Sequence, residues 1–237
     1  MLEAILSSNA PDEIKQFAKT HLPNRTQDYT KSFQNGEDIV NSDLNILPFE
    51  MPNFPTDTIA NEAKSLIDRY VEHRSMISRG WKSIVLHGLG WDKTRNYTSY
   101  GYDESTPNRD IPYDWTEIAD LCHTAKEYFR SFGYKKYHRI RFMLLEPGGY
   151  ILPHNDSNIS KLHALNIALT QPKDCWFLME GVGNLPFEPG VGIFLNLKNQ
   201  HCIYNASSEN RLHMIVHGNM GNNIFNFIHR QYENLQK

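Results

Sequence analysis

Cysteine is scarce. Cys122, Cys175 and Cys202 are the whole complement of a 237-residue chain, an odd number without paired spacing. This argues against a disulfide framework and for a reducing compartment, so a cytoplasmic setting is expected. Long apolar runs are also missing, since nothing approaches the roughly 20 residues that cross a bilayer. The opening Met1-Leu2-Glu3-Ala4-Ile5-Leu6 is short and carries an acid where a signal peptide carries bases, so neither leader nor anchor is expected. No surplus of one charge exists either: 24 Lys and Arg stand against 27 Asp and Glu, for a formal net charge of −3. Such a balance supplies no general attraction for nucleic acid or acidic membranes, which leaves a small-molecule or peptide partner. Internal repeats and low-complexity tracts are absent. With 40% hydrophobic and 22% charged residues, the chain reads as one globular domain over 1–237.

What is present is a pattern of chemistry-bearing residues late in the chain. In His154-Asn155-Asp156, placed at the end of an extended segment, the first and third side chains project to one face. An imidazole and a carboxylate joined by a second imidazole form the two-His, one-carboxylate set that suits non-haem Fe(II) and leaves coordination positions open. Alone, the triplet reads more readily as a His and an Asp on a solvated loop than as a metal site. The downstream half decides: a strand-like run from Gly190 to Leu197 leads through polar Lys198-Asn199-Gln200 to His201, and ten positions on stands Arg211. A guanidinium pairs with a carboxylate through two parallel hydrogen bonds, so Arg211 can hold the far carboxylate of 2-oxoglutarate while the oxoacid end meets iron. His213 and His217 compete for the place of third ligand. Ten positions beyond them lie Asn223 and Phe227, which cannot anchor a carboxylate.

The run from Arg141 to Asp156, RFMLLEPGGYILPHND, followed by His201 and Arg211, resembles the aspartyl/asparaginyl β-hydroxylase family of Fe(II)/2-oxoglutarate oxygenases. The shared motifs lie in about the last 100 residues. The resemblance implies a mainly β fold with flanking α-helices around a double-stranded β-helix, the jelly-roll or cupin-like core. It implies His154, Asp156 and His201 as iron ligands, Arg211 as the 2-oxoglutarate anchor, and O2 as co-substrate. The best-known animal members lack the carboxylate ligand, whereas bacterial relatives acting on free amino acids such as proline keep it, as this chain does. Related halogenases vacate that position for chloride, so an intact Asp156 implies hydroxylation. Asn166 stands where the animal members have a cofactor-contacting His, and the resemblance carries a cofactor contact to it. The implied substrate is an amino acid, free or within a peptide, or a related small molecule.

Taken in order, the chain predicts a helix from Pro11-Asp12-Glu13 to His21, acids at its positive end. Residues 24–55 are polar and turn-rich, and either wrap the surface or add short strands. A second helix is expected from Thr56-Asp57 to about His73, with Ile59, Ala63, Leu66, Ile67 and Tyr70 on its core stripe, and a third from Asp114 to Gly133. Between them, 82–88 reads as a strand in which His87 is structural. The Tyr-rich stretch 97–113 suits an edge strand or a lid. From His138 strands dominate, over roughly 138–146, 150–154, 162–170, 174–180, 191–197 and 211–217, with a short helix in the tail. Residues 1–135 thus serve as helical and irregular support and 136–220 as most of the jelly-roll core.

Three further residues are candidates for substrate contact. Arg139 and Arg141 share a strand face, where they either meet a substrate carboxylate or sit on a solvated sheet surface. His213 either hydrogen-bonds near the iron or lies satisfied beneath the sheet. Trp176 and Phe177 point to opposite faces, so one ring faces inward, as core more readily than as a stacking platform. Two other functions stay open: a non-catalytic jelly-roll that binds carbohydrate or peptide through exposed tyrosines, and a cupin-type metalloenzyme that uses no oxoacid, in which Arg211 pairs with a surface acid. The oligomeric state is not readable from the sequence.

Overall fold

One strand organises the molecule. In the computed structural model, which describes residues 1–156 and 161–237, Lys136–His154 is a single 19-residue strand whose apolar run Phe142-Met143-Leu144-Leu145 is buried on both faces. Before it come α1 (Leu2–Ser7), α2 (Asp12–His21), α3 (Gly36–Val40), β1 (Ile46–Glu50), α4 (Thr56–Ser65), β2 (Val71–Glu72), β3 (Ser78–Gly88), β4 (Asp114–Trp115) and α5 (His123–Phe132). The long strand is β5. After it follow β6 (Leu162–Ala168), β7 (Cys175–Met179), β8 (Gly183–Asn184), β9 (Val191–Asn196), β10 (His201–Asn205), β11 (Arg211–Asn219) and α6 (Asn222–Leu235).

All pairings are antiparallel. The first half of β5 pairs with β11, from Lys136↔Asn219 to Leu145↔Arg211, and the order continues through β6 and β9 to β1. Its second half pairs with β10, which leads on to β7 and β8. Strand β3 borders both halves. The sheet therefore folds over into two facing layers joined by β5, a double-stranded β-helix flanked by helices. The changeover falls at Glu146–Gly149. Gly148 takes φ +70°, and a Cβ on Gly149 would lie 2.8 Å from the Glu146 carbonyl oxygen and 2.9 Å from that of Arg79, so only glycine fits there.

Period-two alternation sorts the side chains into three apolar layers. Ile140, Phe142, Leu144, Leu212, Met214 and Val216 face outward against α3, α4, α5 and α6, where Phe129, Ile224 and Ile228 are fully covered. Met143, Leu145, Phe177, Ile193 and Ile203 face inward between the two layers. Trp176, Leu178, Cys202 and Tyr204 pack outward on α1 and α2. Phe177 thus faces inward and Trp176 outward. All three cysteines are buried, and burial pushes their thiols up, Cys122 to about 12 and Cys175 to about 11. Among the described residues no helix is long and apolar enough to cross a membrane.

Several elements differ from expectation. The second helix stops at Ser65, and after a single 3-10 turn the chain turns extended to pair Val71 and Glu72 with β3, which leaves Ile67 exposed instead of in the core. The third begins only at His123, because Asp114 and Trp115 pair with His87 and Gly88, although Gly133 ends it in the left-handed conformation as predicted. Tyr97–Tyr100 is a 3-10 turn rather than a strand. Residues 46–50 add an edge strand beside β9, and 201–205, unforeseen, form a fully buried strand.

Candidate active site

Between the two layers lies a cavity of about 540 Å³. Its floor is set by alternation. On β11, Arg211, His213, Ile215 and His217 share the inward face, and on β5 so do Arg139, Arg141 and Met143. Asn166 on β6 joins them from the next strand, 4% exposed. Every residue singled out from the sequence as a site candidate lines this one cavity.

His154 ends β5 and His201 begins β10, and the two are direct register partners with ring centroids 4.4 Å apart. Asp156 follows on the chain, its backbone N–H donating to the Leu197 carbonyl at 3.0 Å. One ligand atom from each of the three lies within 4.8 Å of the others. The His154 Nε2 is 3.7 Å from Asp156 Oδ1 and the His201 Nε2 is 3.9 Å from Oδ2. Both Nδ1 atoms are engaged elsewhere, His154 with the Leu152 carbonyl at 2.8 Å and His201 with that of Asn199 at 3.0 Å. A carbonyl only accepts, so each Nδ1 carries a proton and each Nε2 is the nitrogen left to face the carboxylate side. Burial, and then His154, lower His201 to about 4, which keeps it neutral at pH 7. Burial pushes the Asp156 carboxyl up, but Arg74, His201 and His154 outweigh it and hold the group below its usual range. Two imidazole Nε2 atoms and one carboxylate fit a divalent cation that prefers mixed nitrogen and oxygen donors. The Asp156 side chain is 26% exposed, so the set stands at the cavity mouth and is reachable from solvent.

Arg211 occupies another part of the cavity. It is 5% exposed, its guanidinium 5.6 Å from the Phe177 ring centroid and 5.7 Å from that of Phe187. Its Nε donates to Gln171 Oε1 at 3.3 Å and its Nη2 to His213 Nδ1 at 2.9 Å. Because that Nδ1 accepts, the His213 proton sits on Nε2, 3.2 Å from the same Gln171 oxygen. His213 is therefore satisfied beneath the sheet as a support for Arg211, and it is not among the metal-competent cluster. Burial lowers the Arg211 guanidinium to about 10, still charged at neutral pH. Among the described residues no carboxylate pairs with it.

The solvated-face reading does not hold for Arg141, while Arg139 is half-buried at the cavity wall. Arg141 is 5% exposed in the cavity wall, because β3 and the loop after it cover that part of β5. Sequence reasoning missed Arg74, Gln171 and Phe187. Arg74, at φ +49°, hydrogen-bonds Asp156 from 82 positions away through Nη1. No local pattern marks such a loop contact. Gln171 follows directly after the predicted strand 162–170, and only tertiary packing brings it to Arg211.

Among solved structures, a Pseudomonas putida prolyl-4-hydroxylase is 16% identical, aligned over 74% of this chain and 94% of its own with TM-score 0.42. A Trichoplax adhaerens prolyl hydroxylase in complex with a hypoxia inducible factor peptide is 9% identical over 97% and 98%, with TM-score 0.47. A Burkholderia pseudomallei oxidoreductase of the 2OG-Fe(II) oxygenase family is 11% identical over 74% and 85%, with TM-score 0.45. A comparison with curated proteins gives no significant match. The family comparison does: residues 53–219 match the family described as Aspartyl/Asparaginyl beta-hydroxylase. That segment holds the three clustered ligand residues and Arg211, and on this match the chain belongs to the aspartyl/asparaginyl β-hydroxylase family and is an oxygenase of the hydroxylating, Fe(II)/2-oxoglutarate-dependent class.

Proposed function

We propose that His154, Asp156 and His201 hold the iron, that Arg211 anchors 2-oxoglutarate by its distal carboxylate, and that the enzyme hydroxylates a C–H bond of an amino acid, peptide or related small molecule. One observation carries this reading: both imidazoles have their Nδ1 protons tied to backbone carbonyls, so two Nε2 atoms face one carboxylate in a cavity that also holds a buried guanidinium with no acid paired to it among the described residues.

Bound iron and 2-oxoglutarate supply the oxidation, coupling decarboxylation of the oxoacid to succinate and CO2 with oxygen transfer from O2 to the substrate. The protein's part is placement and exclusion of water. Backbone carbonyls hold a proton of each ligand imidazole on Nδ1, which leaves Nε2 as the nitrogen that would take a metal. Gln171 and His213 hold the Arg211 fork in one orientation, ready for a planar carboxylate. Phe177 and Phe187 flank that charge and keep water from screening it. Asn166 offers an amide on the neighbouring strand for a further cofactor contact.

Burial of Arg211 speaks against the oxoacid-free metalloenzyme, which needs a surface acid beside it. The test is anaerobic titration of the protein with Fe(II) and 2-oxoglutarate, read as the weak visible charge-transfer band, with succinate release on admitting O2. The band is expected for the native protein and lost in Asp156→Ala, with turnover falling at least about 100-fold. A native protein that gives neither band nor succinate overturns the proposal.

A further inference from the structure

We infer that Arg139 and Arg141 form a second anion subsite, separate from Arg211, and that the oxidised substrate is an organic acid bound there by its carboxylate, with no ammonium group to balance it. The reaction rests on the hydroxylase reading above; the subsite rests on geometry alone.

The first observation is position. Arg211 is the register partner of Leu145, whereas Arg141 lies four residues earlier on β5 and opposite Ile215. At about 3.3 Å per residue the two are about 13 Å apart along the strand, and Arg139 is further still. Two cationic centres therefore mark two parts of one cavity, and a single carboxylate does not serve both.

The second is the state of the pair. Arg141 is buried, its Nη1 donates to the Thr94 carbonyl at 2.8 Å, and its Nε has no partner among the described residues. The Arg139 Nη1 donates to the Arg95 carbonyl at 3.1 Å. Neighbouring carbonyls of one loop thus orient both forks, yet a carbonyl cannot neutralise a charge. Among the described residues no carboxylate lies within ion-pairing distance of either. A guanidinium cannot shed its proton near neutral pH, so a buried Arg141 beside a half-buried Arg139 calls for an anion from outside the chain. Burial, and then Arg139 and Arg74, lower Arg141 well below its ordinary value.

The third is the charge inventory. Arg74, Arg95, Arg139, Arg141 and Arg211 line the cavity against one acid, Asp156, which Arg74 already engages. The four residues outside the described set are Ser157, Asn158, Ile159 and Ser160, none of them acidic. An α-ammonium would enter this field with no carboxylate to meet it apart from the proposed iron ligand. An acid whose nitrogen is absent or acylated brings only the charge the cavity lacks.

The experiment compares, for a panel of carbon skeletons, the free α-amino acid, its N-acetyl acid, the neutral N-acetyl amide and a phosphate monoester of the matching alcohol. Binding is measured by calorimetry without O2 on protein holding Mn(II), with and without 2-oxoglutarate, and succinate release is measured with Fe(II) in air. The best N-acetyl acid is expected to bind at least about tenfold more tightly than its free amino acid and its amide. Arg141→Gln and Arg139→Gln are expected to remove that preference and leave the 2-oxoglutarate Kd within about twofold, whereas Arg211→Gln does the reverse. Retained 2-oxoglutarate binding also shows that the variants fold. Tightest binding of a neutral, zwitterionic or phosphorylated member across the panel overturns the inference, as does an acid Kd unmoved by both β5 variants. If 2-oxoglutarate fails to bind at all, the hydroxylase reading falls, while acid binding without it and its dependence on Arg141 still decide the subsite.

Discussion

At the scale of the residue, this site is built from hydrogen bonds that fix which atom is left over. Arg211 shows it best. Its Nε and Nη2 are held by Gln171 and His213, so the remaining donors present a fixed edge to the cavity. Arg211→Ala removes the whole charge and is expected to raise the KM for 2-oxoglutarate by about 30-fold or more, in line with losing one side of a buried charge pair. His213→Leu keeps the charge and removes one support, so a rise of about tenfold is expected with kcat nearly unchanged. Steady-state kinetics in 2-oxoglutarate separate these outcomes, and equal effects of the two variants would show that His213 does more than position the fork. Much at this scale was legible beforehand. The strand period places His154 and Asp156 together, and the spacing from His201 to Arg211 picks the third ligand over His213 and His217. The grip of Arg74 on Asp156 was not legible, because it joins two loops that only the folded sheet brings together.

At the scale of the element, the helices fell where local signals went unopposed. The Asp-Glu start at Asp12 and the left-handed stop at Gly133 behave as their sequence predicts. Where a strand partner competed it won, as β3 does twice, drawing Val71-Glu72 and Asp114-Trp115 out of the expected helices. The apolar pattern alone cannot report that competition. Helix α3 was equally hidden, since it spans only five residues in a polar stretch and is held by what it packs on. Its first residue, Gly36, is buried against α6, and a Cβ there would lie 1.9 Å from the Phe225 carbonyl oxygen. Backbone cannot yield as a flexible side chain would, so Gly36→Ala must push α3 away from α6. A loss of about 1–3 kcal/mol in urea unfolding is expected. The cavity lies on the other side of the β5–β11 layer, so 2-oxoglutarate affinity should survive, and an unchanged midpoint would mean that α3 contributes little to the helical layer.

At the scale of the whole molecule, a cavity lined with arginines imposes a pH dependence on the fold. His73, 3% exposed, lies beside Trp81 with its Nδ1 3.2 Å from the hydroxyls of both Ser83 and Thr94. Burial first, and then Arg141, Arg74 and Arg139, drive its pKa down from 6.5 to about 2, against a smaller opposing pull from Asp156. The folded protein thus keeps this imidazole neutral, while the unfolded chain takes up a proton below about pH 6.5. Since the unfolded state binds more protons in that window, stability is whole above it and falls as the pH drops, by about 1.4 kcal/mol per unit for one such group. His138, lowered to about 4 by burial, and His217, lowered well below its ordinary value by burial and by Arg139 and Arg141, add losses of the same sign. Urea midpoints should therefore be steady from pH 8 to 7 and decline steeply towards pH 4.5. His73→Gln retains an amide for Ser83 and Thr94 but cannot take up a proton. It should lose up to about 3 kcal/mol less than the native protein between pH 7 and 4.5. If the two decline in parallel, His73 is already protonated in the folded state, and the cationic cavity does not set the acid limit of the fold.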